Sequence, residues 1–186
     1  MKQTLLRLPV TITLLSIMLM FNSCAKLALR LFEGLDYDIS LDMTINPIST
    51  VGAVSKTNVD RTLDIKKIIE ENAGSLSSYI RVEDLTSIEV TKAELIINNA
   101  TQSNNFSNMA SGKITVITNS CNGVIVSSSI PDSYTNRIIW DIPKGTVNLK
   151  NCFTNTVNVT YSYETTVRRP TTIPLNCTLN LKFHFE

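Results

Sequence analysis

Alternation is the strongest signal in the chain. Between Asp36 and Ile45, the apolar residues Tyr37, Ile39, Leu41, Met43 and Ile45 alternate with Asp36, Asp38, Ser40, Asp42 and Thr44. A period of two over this length predicts a strand with one buried and one solvated face, and Pro47 closes it. The final segment repeats the pattern, with Leu175, Cys177, Leu179, Leu181, Phe183 and Phe185 on one face. Each of these two strands offers a complete apolar face, so the first and last strands are expected to pair.

Between them, Val51 to about Arg61 reads as a second extended stretch. The period then changes. Ile65, Ile68 and Ile69 stand at helical spacing, with Asp64 placed to cap the start and Gly74 to stop the end, which predicts one short amphipathic helix near 64–73 over an open end of the sheets. Strand patterning returns afterwards. Ile88, Val90, Leu95 and Ile97 share a face only if a bulge near Lys92 resets the phase. "GKITVITN" and "GVIVSSSI" predict a hairpin whose tight turn uses Asn122-Gly123. "RIIWDIP" and the region from Val147 to Phe153 read as shorter strands, and Val157, Val159, Tyr161 and Tyr163 alternate in a longer one. About eight or nine strands predict an all-β fold over 35–186: a single antiparallel β-sandwich of the Ig-like or Greek-key type.

The N-terminal segment follows a different rule. Lys2 and Arg7 precede an uncharged run from Leu8 to Phe21, too short to span a bilayer but suited to the apolar part of a signal peptide. Asn22, Ser23 and Cys24 follow. This ending resembles the lipobox of bacterial lipoproteins, in which a large residue and two smaller ones precede an obligatory cysteine. The resemblance covers residues 1–24 only, and Phe21 and Asn22 depart from the usual aliphatic and small residues. It implies that 1–23 is removed and that Cys24 becomes the first mature residue, acylated on its thiol and amino group. Two chains give stable membrane attachment. Ala25, rather than Asp, follows the cysteine, which implies the outer membrane; with no acidic run after it, the periplasmic face is favoured over the cell surface. The tether, 24–34, carries Leu27, Leu29, Leu31 and Phe32, and is expected to lie on the domain and hold it near the membrane.

Composition narrows the function classes. Removing Lys2 and Arg7 from 17 basic residues leaves 15 against 16 acidic ones, so no basic field for nucleic acid exists. The 163 residues from Cys24 onward suffice for one domain with a real core. Roughly a third of them are Asn, Ser or Thr, which suits solvated strand faces and turns.

Candidate chemistry is sparse. Asp36, Asp38 and Asp42 lack the glycine and glutamate of a calcium loop, since Leu41 and Pro47 stand at those positions; they read as a solvated strand face. His184, the only histidine, reads as an exposed strand residue with no nucleophile or zinc partners in view. Trp140 reads as core, and Tyr161 and Tyr163 as a core stripe with hydroxyls at its rim. Arg168-Arg169-Pro170 lies in a loop as a contact point for phosphate or a partner. With Cys24 acylated, three cysteines remain: Cys121–Cys152 is the expected disulfide and Cys177 a buried free thiol. No cofactor, metal or catalytic residue is implied. The expectation is a lipid-anchored, non-enzymatic binding or structural accessory of the envelope, with an envelope protein as partner. Alternatives are a carrier of an apolar ligand such as lipid, a fimbria-like adhesive subunit and, last, an unrecognised hydrolase.

Overall fold

A computed structural model describes residues 34–74, 78, 80–153 and 156–186. The signal sequence, Cys24 and the tether up to residue 33 lie outside the described residues. Eight strands follow in order: β1 (Leu35–Ile45), β2 (Val54–Asp64), β3 (Ile88–Ile97), β4 (Met109–Ile117), β5 (Asn122–Ser129), β6 (Arg137–Asp141), β7 (Thr156–Val167) and β8 (Leu175–Phe185), with helix α1 (Ile65–Asn72) after β2.

The strands pair as if the chain were doubled back at the β4–β5 hairpin and then rolled up. β1 pairs with β8, β2 with β7, β3 with β6 and β4 with β5, all antiparallel. Two further ladders, β3–β8 and β4–β7, complete sheets of order β1-β8-β3-β6 and β2-β7-β4-β5. This is the Greek-key sandwich in its jelly-roll form; an immunoglobulin order would keep β1 beside β2 in one sheet.

Local chemistry explains the element boundaries. Asp64 ends β2 and caps α1, its Oδ1 accepting from the Lys67 backbone N–H at 3.0 Å. Gly74, at φ +58°, follows the helix in the left-handed conformation. Ile65, Ile68 and Ile69 are buried, and the helix touches β1 and β7. The β3–β8 register shifts between Val90 and Lys92, so Ile88 and Val90 point inward before the shift, and Ala93, Leu95 and Ile97 after it.

Three expectations are corrected in detail. The β4–β5 turn is at 118–121, where the Thr118 hydroxyl accepts from the backbone N–H groups of Ser120 and Cys121. Asn122 and Gly123 instead pair with Ile117 and Val116 within the ladder. The glycine serves packing there, since a Cβ at 123 would lie 2.5 Å from Leu149 Cδ2. The region 147–153 holds no strand. It makes one bridge, Asn148 to Glu89, and a 3₁₀ turn at Lys150–Cys152. The Asn148 side chain accepts from the Ile88 and Lys150 backbone N–H groups, an arrangement that competes with a continued ladder. Finally, β2 begins and ends three residues later than its pattern suggested, because Gly52 (φ +79°) makes a turn whose N–H donates to Val167 O at 2.8 Å.

The inward faces of the two sheets meet in one apolar core running from Ile39 to Phe185. Tyr161 and Tyr163 lie wholly inside it, so their hydroxyls do not reach a rim. Tyr163 Oη is 3.4 Å from Met109 Sδ, and Tyr161 Oη has no hydrogen-bond partner among the described residues.

Candidate functional site: the outer face of the β1–β8–β3 sheet

Strand alternation that sends apolar residues inward sends the polar half of β1, β8 and β3 outward. Register places these residues in rows across the sheet. One row is Asp38, Lys182, Lys92 and Asp141, from β1, β8, β3 and β6. Two lysines directly opposite each other repel, and the carboxylates on either flank offset that cost. A depression of about 380 Å³ lies against this row, lined also by Ser40, Glu94 and Asn180.

The row nearest the start of β1 is more tightly organised. His184 Nδ1–H donates to Asp36 Oδ1 at 2.8 Å, and Lys182 Nζ donates to Asp36 Oδ2 at 2.7 Å. Lys144 Nζ approaches His184 Nε2 at 3.3 Å; an ammonium only donates, so Nε2 accepts and the ring proton sits on Nδ1. The imidazole is only 12% exposed, not the exposed residue its strand phase suggested. Gly34 covers it, with φ +97° and an ideal Cβ position 2.6 Å from the ring Cε1. Hydrogen bonds from Lys182 and His184 hold the Asp36 carboxyl below the usual range. On the other side of the ring, Glu89 is opposite His184 in the β3 register and accepts from Gly145 N–H at 2.9 Å.

Glu94 is, with Glu89, one of two equally buried acids of this face among the described residues. Burial works against its ionisation, but hydrogen bonds from Asn180 and Arg137 outweigh it and leave the carboxyl below its ordinary range. Asp42, further along β1, accepts from the Thr178 hydroxyl at 2.9 Å, and Asn98 Nδ2 donates to that same Thr178 oxygen at 2.9 Å. Of the three aspartates, only Asp38 makes no side-chain hydrogen bond or ion pair among the described residues.

The other residues singled out by sequence have structural roles. Trp140 is half-buried against the core, and its indole N–H donates to Ser128 Oγ at 2.7 Å, joining β6 to β5 across the sandwich. Arg168 donates to Ile130 O at 2.7 Å and Ser107 O at 3.3 Å, while Arg169 donates to Ser107 O at 3.0 Å and pairs with Asp132. Both guanidinium groups therefore fasten loops at the end of the sandwich opposite Gly34. Asn104, Asn105 and Asn108 in the same region are buried and bonded to neighbouring loop backbone and side chains. Cys121 and Cys152 form a disulfide, Cα–Cα 5.1 Å. Cys177 is a buried thiol that burial pushes up to about 12.

Lys144, Glu89 and Asn98 carried no local sequence signal. Their roles depend on partners 40 to 95 positions away. No group of three or more His, Cys, Asp or Glu suited to a metal ion occurs among the described residues. No helix among them is long and apolar enough to cross a membrane.

The fold is thus an eight-stranded antiparallel sandwich whose ordered polar face lies outside one sheet. No family matches the sequence, and no curated protein matches it. Among solved structures, a chain of Desmodium yellow mottle tymovirus is similar over 81% of this chain and 86% of that chain, at 9% identity and a TM-score of 0.28. A likeness at that score bears on neither fold nor function here.

Proposed function

We propose that the protein is a lipid-anchored, non-enzymatic accessory of the bacterial outer membrane, facing the periplasm and recognising an envelope partner through the outer face of the β1–β8–β3 sheet. One observation carries the choice of surface. The apolar faces of the two sheets are filled by one another in a continuous core, while the polar residues of β1, β8 and β3 are ordered into rows around a depression on the outside. This favours recognition at the surface over carriage of lipid between the sheets. The Asp36–His184 pair has the form of an oriented base, but Nε2, the nitrogen that would take a proton from substrate, faces Lys144. Among the described residues each sheet has four strands paired in sequence across it, which weighs against an adhesive subunit completed by a donated strand. The lipobox-like ending at Cys24 supports the anchor and the compartment.

The test is capture from membranes with the full-length protein, compared with Cys24→Ser and with a Lys92→Glu, Lys182→Glu double variant. The proposal expects one stoichiometric envelope protein that is lost with the charge-reversed face. Recovery of lipid alone would favour the carrier, and capture unaffected by the double variant would remove this face from the proposal.

A further inference from the structure

We infer that a groove along β1, on the half of the strand far from Gly34, binds a neutral polyhydroxylated ligand, that is, a carbohydrate. The groove has a volume of about 510 Å³, within the usual range of small-ligand sites. Its polar lining is Asp42 and Thr44 of β1, Thr57 and Asn58 of β2, Asn98 after β3 and Asn176 of β8. These come from four segments brought together by the roll of the sandwich. Register fixes them: Thr44 is opposite Asn176, and Asn98 N–H donates to Asn176 O at 2.8 Å.

The chemistry of the lining selects the ligand. A sugar hydroxyl donates and accepts at once, and a primary amide presents both functions on one plane. The side-chain amides of Asn58 and Asn176 have no hydrogen-bond partner among the described residues, so both are available. The third amide and the carboxylate are already positioned, since Asn98 donates to Thr178 Oγ1 and Thr178 donates to Asp42 Oδ1. That chain leaves Asn98 Oδ1 and Asp42 Oδ2 as oriented acceptors, with less ordering left to do on binding. Among the described residues no Lys, Arg or His lines the groove, which disfavours an anion. A single carboxylate is too little for a divalent cation. The neighbouring depression, with Lys92 and Lys182, has the opposite character. Counting along β1, Asp42 stands about 25 Å from the point where the chain enters the sandwich, so a membrane-tethered domain would present the groove away from its attachment.

No aromatic platform contributes among the described residues, so affinity is weak, with Kd on the order of 1 mM. The inference concerns a second groove beside the recognition face proposed above, and stands independently of that role and of the lipid anchor. It is tested by saturation-transfer NMR on the full chain in detergent micelles, with maltose and chitobiose as probes and heparin disaccharide as the anionic control. Transfer to at least one neutral sugar is expected, with little to the anionic one. Asn58→Ala and Asn176→Ala should each weaken binding about fivefold, the equivalent of one lost hydrogen bond. Both side chains are exposed and unbonded, so these variants fold. Asn119→Ala, in the exposed β4–β5 turn, should leave binding unchanged. Absence of transfer to either neutral sugar, preference for the anionic probe, or binding indifferent to both asparagine variants would overturn the inference. If the capture experiment still recovered a stoichiometric protein, the accessory role would survive that failure.

Discussion

Asp36, the second residue of β1, and His184, two positions from the end of the chain, face each other in register with Oδ1 and Nδ1 2.8 Å apart. The pair closes the sandwich at the end where the chain enters it. Lys182 occupies the other carboxylate oxygen, and Gly34 lies over the ring.

The Asp36 carboxyl has a folded-state pKa depressed chiefly by the Lys182 hydrogen bond and then by His184. Its stabilising effect is therefore present above the unfolded carboxylate value near ~3.9, and is lost as pH falls through the lower folded value. Below about pH 4, the unfolded state takes up a proton first, so stability declines. Asp36→Asn should flatten part of that acid limb in urea titrations between about pH 2 and 7. Asp84, depressed by Arg81, and Glu94 act in the same direction. An identical acid limb in the variant would show that the pair carries no linkage.

Gly34 and Gly52 separate two meanings of a positive φ. At Gly52 (φ +79°) nothing lies within 4 Å of an added Cβ, so Gly52→Ala should cost about 1 kcal/mol of backbone strain. At Gly34 (φ +97°) the same methyl meets the His184 ring, so Gly34→Ala should cost about 2–3 kcal/mol. Chemical denaturation of the two variants provides the comparison, and equal losses would refute the contact argument.

Tyr161 buries a hydroxyl without a partner. An unpaired buried hydroxyl costs about 1–3 kcal/mol, so Tyr161→Phe should stabilise the protein, by about 1 kcal/mol after repacking. Tyr163→Phe, which gives up contacts with Met109 Sδ and the Thr165 side chain, should instead destabilise by about 0.5–1 kcal/mol. A destabilised Tyr161→Phe would mean that the hydroxyl has a role in the fold.

The Cys121–Cys152 link spans 31 positions, so Cys121→Ala with Cys152→Ala should lower unfolding free energy by about 3–4 kcal/mol through loop entropy. Cys177 should resist maleimide in the native state and react once denatured, because burial holds its thiol protonated with a pKa of about 12. Rapid native labelling would show that the core opens there.

Cys24→Ser should abolish incorporation of labelled palmitate in cells and leave a heavier, uncleaved form on gels. Normal labelling of the variant would exclude this cysteine as the acylated residue.

Much of the sandwich was legible because strand alternation is a local record of which side is buried. The faces of β1, β7 and β8, the capped helix after Asp64 and the bulge between Val90 and Lys92 all follow from residues within a few positions of one another. Asn122-Gly123 misled because its turn preference was outweighed by the Thr118 hydroxyl and by packing against Leu149. Region 147–153 misled because the Asn148 side chain takes the hydrogen bonds that a strand would need.

By itself, then, the sequence determined the class of fold and most of the inward residues and extended segments, since each depends on short-range periodicity and hydrophobic burial. The pairing of first strand with last was also legible, but tertiary structure alone decided the rest of the strand order, the covering of His184, the structural use of Arg168 and Arg169, and the meeting of Asp42, Asn58, Asn98 and Asn176 in one groove. These relationships join residues up to 148 positions apart, and only the rolled pairing of first strand with last brings such distant side chains within hydrogen-bonding reach.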